Sequence, residues 1–132
     1  MEYLIGTVLS LAIVALAYIV GFDRERAYYS TALIVIAAYY VLFAAMAPSG
    51  RILITEIIFA CGFLLFAVVG FKTNLWLVAI ALVGHGVFDF FHHLLIQDPG
   101  VPHWWPGFCG VFDVIFGGVA VVHLIRHRVA AR

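Results

Sequence analysis

Charged residues are scarce in this sequence, and their scarcity decides the class of protein. Of the 132 residues only 11% are charged, whereas 66% are hydrophobic, and the mean hydropathy is +1.15. A water-soluble domain of this length leaves a large share of its chain exposed, so it cannot hide that much apolar surface. The composition excludes a soluble globular domain and predicts an integral membrane protein.

The lack of net charge and the small number of cysteines limit the partners and the chemistry to be expected. The formal net charge is zero, so no strong basic field favours nucleic acid as a partner. The two cysteines, Cys61 and Cys109, both lie in apolar runs, where they are expected as packing residues rather than as a disulfide framework. The N-terminus has neither a basic segment nor a small-residue cleavage site, and we expect its apolar run to be a retained span rather than a signal peptide.

Long apolar runs are abundant. A helix needs about 20 residues to cross roughly 30 Å of hydrocarbon, and helices satisfy every backbone group locally in lipid. The predicted spans cover residues 3–21, 28–47, 52–71, 74–97 and 105–125. Because the connections are short, neighbouring spans should be antiparallel. We therefore predict an all-α fold, a compact bundle of five transmembrane helices that forms a single domain over residues 1–132.

Basic residues are divided unevenly between the two ends of this bundle. One end has only Arg51. The other end carries six basic residues, namely Arg24, Arg26, Lys72, Arg126, Arg128 and Arg132. Because basic residues in short loops stay cytoplasmic, we predict a multi-pass protein of the inner (plasma) membrane with its N-terminus outside and its C-terminus in the cytoplasm. Membrane lipids are then the first expected partners.

Polar side chains within the spans converge on one depth. Under this topology Asp89 in the fourth span and Asp113 in the fifth lie in the outer half of the membrane. The third span begins at the same surface with Glu56 one turn into it, and Tyr39 and Tyr40 lie within about two turns of that surface. The inner half of the bundle is almost wholly apolar. We expect Asp89, Asp113 and the histidines of the fourth span to point at one another where the fourth and fifth spans meet.

The fourth span concentrates histidines around its aspartate. At 100° per residue, His85, Asp89, His92 and His93 lie within an arc of roughly 100°, which is the width of one helix face. Burying ionisable groups in a bilayer costs several kcal/mol unless they are paired, neutralised or bound to a metal. Imidazole and carboxylate are ligands for zinc, iron, manganese and nickel.

These residues predict a site for one divalent transition metal ion, and zinc is the expected ion. His85, Asp89 and His93 are the expected ligands, and His92 competes with His93 for the third position. Asp113 is expected as a further ligand or as the partner that orients an imidazole. Two other interpretations stay open, namely a small transporter or proton relay, for which membrane acids and histidines are typical, and a structural network of interhelical hydrogen bonds.

Two segments carry resemblances. The stretches "HGVFDFFHH" and "VPHWWPGFCGVFD" resemble small bacterial membrane proteins of a family without assigned function. The spacing His85-xxx-Asp89-xxx-His93 is similar to motifs of membrane-embedded metal hydrolases such as alkaline ceramidases, which have seven spans rather than five. That resemblance implies a zinc-bound water whose pKa falls toward neutrality, and a lipid-soluble ester or amide as substrate. It further implies catalytic roles for the remaining polar residues, with Asp113 or Glu56 as general base and Tyr40 or Tyr39 as hydrogen-bond donor to the oxyanion.

Three expectations concern the edges of the bundle. The loop "QDPGVPHWWPG" should lie as a stiff cap over the outer mouth, with its tryptophans at the interface and His103 facing the cavity or water. His123 and His127, among arginines, should form a rim that faces lipid headgroups. A homodimer is plausible through the small residues Gly117 and Gly118.

The predicted orientation can be tested directly. A reporter that is active only in the cytoplasm, fused after the last residue, should be active, because six basic residues oppose one across the membrane. The same reporter fused before Met1 should be silent. An enzyme reporter that works only outside the membrane, active at the C-terminus, would contradict the topology and place Asp89 and Asp113 in the cytoplasmic half.

Overall fold

A computed structural model describes residues 1–129, so Arg132 and the last three residues of the predicted domain lie outside the described part. Five long helices account for most of the chain: α1 (Glu2–Val20), α2 (Arg26–Met46), α3 (Gly50–Lys72), α4 (Leu75–Leu95) and α5 (Trp105–Ile125). A 3-10 turn at Phe22–Arg24 follows α1. All five helices are long and apolar enough to span a membrane, and residues 1–129 contain no strand. The predicted fold class is confirmed.

The helices end where local chemistry stops them, within two residues of the predicted bounds. Gly21 ends α1 in the left-handed region, with φ at 92°, which glycine adopts at no steric cost. The Ser49 and Asn74 side chains begin α3 and α4 by accepting hydrogen bonds from backbone N–H groups two or three residues on, at 3.5 and 3.0 Å. Ile96 is extended, and α4 therefore ends before the proline-rich loop.

The helix α4 is the centre of the bundle. It packs most extensively on α5 and also contacts α3 and α2, whereas α1 packs mainly on α5. The core between them is apolar, with Leu33, Val78 and Leu82 fully buried and Phe116 beside them. We call the end with the α2–α3 and α4–α5 connections the outer end, following the predicted orientation, and the opposite end the inner end. The structure leaves the direction of insertion and the identity of the membrane as predictions.

Glycines let α4 and α5 approach to backbone contact. A Cβ atom added at Gly86 would lie 2.7 Å from the carbonyl oxygen of Gly110 and 2.8 Å from the backbone nitrogen of Val114. One at Gly117 would lie 2.7 Å from the backbone nitrogen of Val83. Small residues are where membrane helices pack closely, and the expected contact between the fourth and fifth spans is present.

The same contact bears on the predicted homodimer. Gly117 is used inside the bundle, against α4, and so does not belong to an open face. At Gly118 an added Cβ atom would meet nothing within 4 Å. The homodimer remains a prediction, with Gly118 as the one member of the proposed pair that faces outward.

The close contact at Gly86 predicts an effect on stability, and Gly84, two positions earlier on α4, is a matched control. Gly86→Ala should lower the free energy of unfolding by about 1–3 kcal/mol, because the new methyl group meets backbone atoms that cannot move aside cheaply. Gly84→Ala, on the other side of His85, meets open space and should leave stability unchanged or raise it by about 0.5–1 kcal/mol. Thermal or denaturant unfolding in one detergent measures both. Equal effects of the two substitutions would contradict the close contact.

Candidate metal centre

Three ionisable side chains meet where α4 and α5 touch. His85 and Asp89 lie one turn apart on α4, and Asp113 faces them from α5. The His85 Nδ1 atom is 2.8 Å from Asp113 Oδ2 and 3.5 Å from Asp89 Oδ2. The three residues are at most 1% exposed. One ligand atom from each lies within 4.8 Å of the other two, which makes a compact set of one imidazole and two carboxylates, here called the metal cluster.

Aromatic rings close the metal cluster on the side of α3. The Phe63 ring stands edge-on to the His85 imidazole, with 4.6 Å between the ring centroids. Phe88 lies 5.9 Å from the same imidazole. These rings keep the surroundings of the cluster apolar, and electrostatic interactions are stronger in such a medium than in water.

The carboxylates of the metal cluster have unused oxygens. Neither oxygen of Asp89 has a hydrogen-bond partner among the protein's groups, and Asp113 Oδ1 has none either. Asp113 Oδ2 alone is satisfied, by the hydrogen bond with His85 Nδ1. A buried carboxylate without donors is costly, so a network that served only to join helices would be expected to satisfy Asp89. These free oxygens are the atoms that a bound cation would contact.

A second histidine–carboxylate pair lies on the outer side of the metal cluster. The His92 Nε2 atom is 2.6 Å from Glu56 Oε1, which joins α4 to α3, and both residues are buried. The Tyr40 ring stacks on the His92 imidazole, with centroids 4.0 Å apart and an angle of 16° between the planes. Glu56, expected as a general base, therefore lies against His92 and is not in contact with Asp113.

The two candidate histidines at the outer end of α4 have different surroundings. His92 points into the bundle and bonds Glu56, whereas His93 is exposed. His93 does not join His85 and Asp89, because successive helical positions differ by 100° and α4 turns position 92 inward. Asp113 instead completes the group of three. The structure thus brings to His85 and Asp89 the residue that was expected as a further ligand or as an orienting partner, and it leaves His93 outside.

A cavity of about 980 Å³ opens at the outer end of the bundle. The loop between α4 and α5 forms much of its wall, as expected for a cap, and His103 lines it together with His92 and His93. Trp104 is exposed at the rim. The wall reaches inward as far as His92, and no residue of the metal cluster lines it. The cavity therefore approaches the cluster and stops one pair of side chains short of it.

The inner end holds a polar cluster that the sequence analysis missed. His123 was expected at an exposed rim, but it is only 8% exposed. Its Nδ1 atom is 2.7 Å from the Tyr29 hydroxyl and 3.7 Å from the buried carboxylate of Asp23, which also lies 3.2 Å from Arg128 Nη2. The expectation of a headgroup-facing rim is wrong for His123, because the 3-10 turn folds Asp23 beneath it.

The unused oxygens of Asp89 give a prediction for the metal-free protein. Asp113→Ala should lower the free energy of unfolding by about 1–3 kcal/mol, because it leaves His85 buried without its acceptor. Asp89→Ala removes a carboxylate of equal size and burial that makes no hydrogen bond and only a longer contact of 3.5 Å with His85 Nδ1, and it should lower stability less than Asp113→Ala does. Unfolding in detergent with a chelator present measures both variants. Equal destabilisation would identify Asp89 as a member of a structural network.

Comparison with models of known protein families, with curated proteins and with solved structures gives no match. The resemblances to small bacterial membrane proteins and to membrane-embedded metal hydrolases gain no support from these comparisons.

Proposed function

We propose that this protein binds one divalent transition metal ion, zinc, at His85, Asp89 and Asp113, and uses it to hydrolyse a lipid-soluble ester or amide. The observation that carries the proposal is the metal cluster, whose ligand atoms lie within 4.8 Å of one another while both oxygens of Asp89 lack a partner. An imidazole and two carboxylates suit zinc and related ions.

The number of ligands favours a reactive centre over a structural one. Structural zinc sites have four protein ligands, whereas catalytic sites have three and leave a position for water. A bound zinc ion supplies an activated water near neutral pH. The three residues here match the catalytic number. His85 presents Nδ1 to the two carboxylates, and the hydrogen bond that this nitrogen makes with Asp113 Oδ2 would be replaced when both groups bind the ion.

The His92–Glu56 pair supplies the acid–base chemistry in this proposal. The short bond between His92 Nε2 and Glu56 Oε1 lets the pair hold or release a proton, as a general acid or base must. His92 also lines the outer cavity, where the wall reaches furthest inward, so a substrate that entered from that end would meet it next to the metal cluster. Tyr40, stacked on His92, is the hydroxyl donor of this group. In this proposal Glu56 keeps the base role and Tyr40 the donor role that were expected from the sequence.

Metal analysis tests the first half of the proposal. Protein purified with zinc should contain about one ion per chain, and His85→Ala, Asp89→Ala and Asp113→Ala should each weaken binding at least about tenfold. Occupancy should also fall at acid pH, because a protonated imidazole cannot ligate. Elemental analysis and competition with a chelating dye measure both effects.

Two control variants test whether loss of metal is confined to the three proposed ligands. His93→Ala removes an exposed histidine from the outer cavity and His123→Ala removes one at the inner end, and both should retain the metal. If His93→Ala loses zinc while Asp113→Ala keeps it, the ligand set proposed here is wrong. Retention of zinc by the His85→Ala, Asp89→Ala double variant would end the metal hypothesis and leave interhelical hydrogen bonding as the role of the cluster.

Hydrolysis is tested separately on zinc-loaded protein in lipid vesicles, with a set of chromogenic long-chain esters and amides. Glu56→Gln should lower the turnover number by about 10²–10⁴-fold, the usual contribution of a general acid or base, while leaving the zinc content unchanged. Metal-loaded protein that turns over none of these substrates would contradict the hydrolytic half of the proposal alone.

Passage of a cation or proton is the second candidate function. The observation in its favour is a series of histidine–carboxylate pairs at successive depths, His92–Glu56, His85–Asp113 and His123–Asp23. Leu82 and Phe116 are buried between the second pair and the third, and this apolar layer favours an ion held at one level. Metal-dependent or pH-dependent flux in liposomes, abolished by Asp113→Ala, would favour transport over hydrolysis.

A further inference from the structure

The outer cavity gathers half of the histidines of the chain. Three of the six, His92, His93 and His103, line its wall. His92 is buried and bonded to Glu56, whereas His93 and His103 are exposed. The two exposed imidazoles have no part in the chemistry proposed above. Since water reaches both side chains, a ligand dissolved in water can reach them too.

The charge of the cavity wall favours a cation. Among the residues that the structure describes, no lysine or arginine lines the cavity, and Asp98 is its one acid. The Asp98 Oδ1 atom accepts a hydrogen bond from the backbone N–H of Gly100 at 2.8 Å, and Oδ2 has no partner. This side chain is only 9% exposed, so it acts on the cavity through its charge rather than by direct contact. An anion would therefore be repelled and a cation attracted.

Imidazole nitrogens select the kind of cation. Histidine is the commonest metal ligand, and imidazole suits zinc, copper, iron and nickel. Magnesium and calcium take oxygen ligands instead, and the carboxylate of Asp98 is buried in the wall. A cavity with two accessible imidazoles beside a buried negative charge therefore suits a divalent transition metal ion.

The cavity does not enclose an ion as closely as the metal cluster does. Over residues 1–129 the metal cluster is the one group of three metal-ligating side chains whose ligand atoms lie within 4.8 Å of one another. Because His92 is bonded to Glu56, an ion in the cavity would be held by the other two imidazoles, with water in its remaining coordination positions. An ion with fewer protein ligands leaves sooner. The geometry favours a hydrated ion that exchanges readily.

We propose that the outer cavity is a second, exchangeable site for one hydrated divalent transition metal ion, which is held by His93 and His103 beside the negative charge of Asp98. The site loads from the water at the outer end and keeps an ion near His92, where the wall reaches furthest inward. The inference uses no residue of the metal cluster and does not depend on hydrolysis. Dialysis should remove this ion and leave the one in the metal cluster.

Copper(II) is the probe for this site, because its electron paramagnetic resonance spectrum reports the nitrogen atoms bound to the ion. The protein is purified in detergent without a polyhistidine tag, loaded with zinc, dialysed, and then titrated with copper. One copper ion per chain should bind through nitrogen and be removed by a second dialysis that leaves the zinc. The same copper signal should appear in the His85→Ala, Asp89→Ala double variant, which separates this site from the metal cluster.

Three histidine substitutions give a matched comparison. His93→Asn and His103→Asn should each weaken copper binding at least about tenfold. His127→Asn removes an equally exposed histidine at the inner end and should leave binding unchanged. Asparagine is chosen because His127 has a φ of 50°, which asparagine tolerates. Zinc content should be the same in all three variants, which shows that each is folded.

Asp98→Asn tests the role of the buried charge. The amide oxygen can still accept the hydrogen bond from Gly100, so the variant removes the charge and keeps the loop. Copper binding should weaken about two- to fivefold, as expected of one charge that acts through water. The difference from the unaltered protein should shrink as salt is added, because salt screens such an interaction. A purely structural role of Asp98 would give a difference that does not depend on salt.

Three results would overturn the inference. Loss of the copper signal in the double variant, with His93→Asn unaffected, would assign the copper to the metal cluster. Equal weakening by His93→Asn and His127→Asn would show that copper binds surface histidines without preference. A titration that finds no copper site in the zinc-loaded protein would leave the cavity without a metal. Failure of the metal cluster to hold zinc, by contrast, would leave the copper result in the double variant unchanged.

Discussion

The contact between α4 and α5 is the constraint on which the arrangement of polar residues depends. Because glycines bring the two backbones together, the short Asp113 side chain reaches His85 at 2.8 Å. The same contact fixes the rotation of α4, which turns His92 toward Glu56 on α3 and leaves His93 outside. A wider separation would require longer acids and would admit lipid between the helices. The metal cluster is therefore a property of the helix pair rather than of either helix.

Much of this architecture could be predicted because lipid imposes simple rules. The length of an apolar run fixes the number of helices, and the 100° periodicity correctly placed His85 and Asp89 on one face. Matching depth brought Asp113 to them. The choice between His92 and His93 could not be read from the sequence, because both lay within the predicted arc. That choice depends on Glu56, a residue 36 positions away, and on glycine contacts that single-helix reasoning cannot weigh.

The inner end shows a different limit of sequence reasoning. Asp23 lies in "GFDRER", a stretch that has the composition of a solvated loop. The 3-10 turn after Gly21 buries it instead, within reach of His123 and Arg128. Tertiary contacts decide whether a charged residue in a short connection is solvated, and no local pattern records them. The bundle consequently has buried polar groups near both ends and an apolar layer between them.

The position of the His92–Glu56 pair has a consequence for how quickly the metal cluster can exchange its contents. The outer cavity is lined by His92 and by no residue of the metal cluster, so the route from the cavity past this side chain to Asp89 is closed in this structure. Passage by that route requires breaking the bond to Glu56 and separating the Tyr40 and His92 rings. Such a barrier slows entry and departure alike without changing equilibrium affinity. An ion bound inside would then have a long residence time. Its occupancy would depend on the metal ions present when the bundle assembled rather than on those present later.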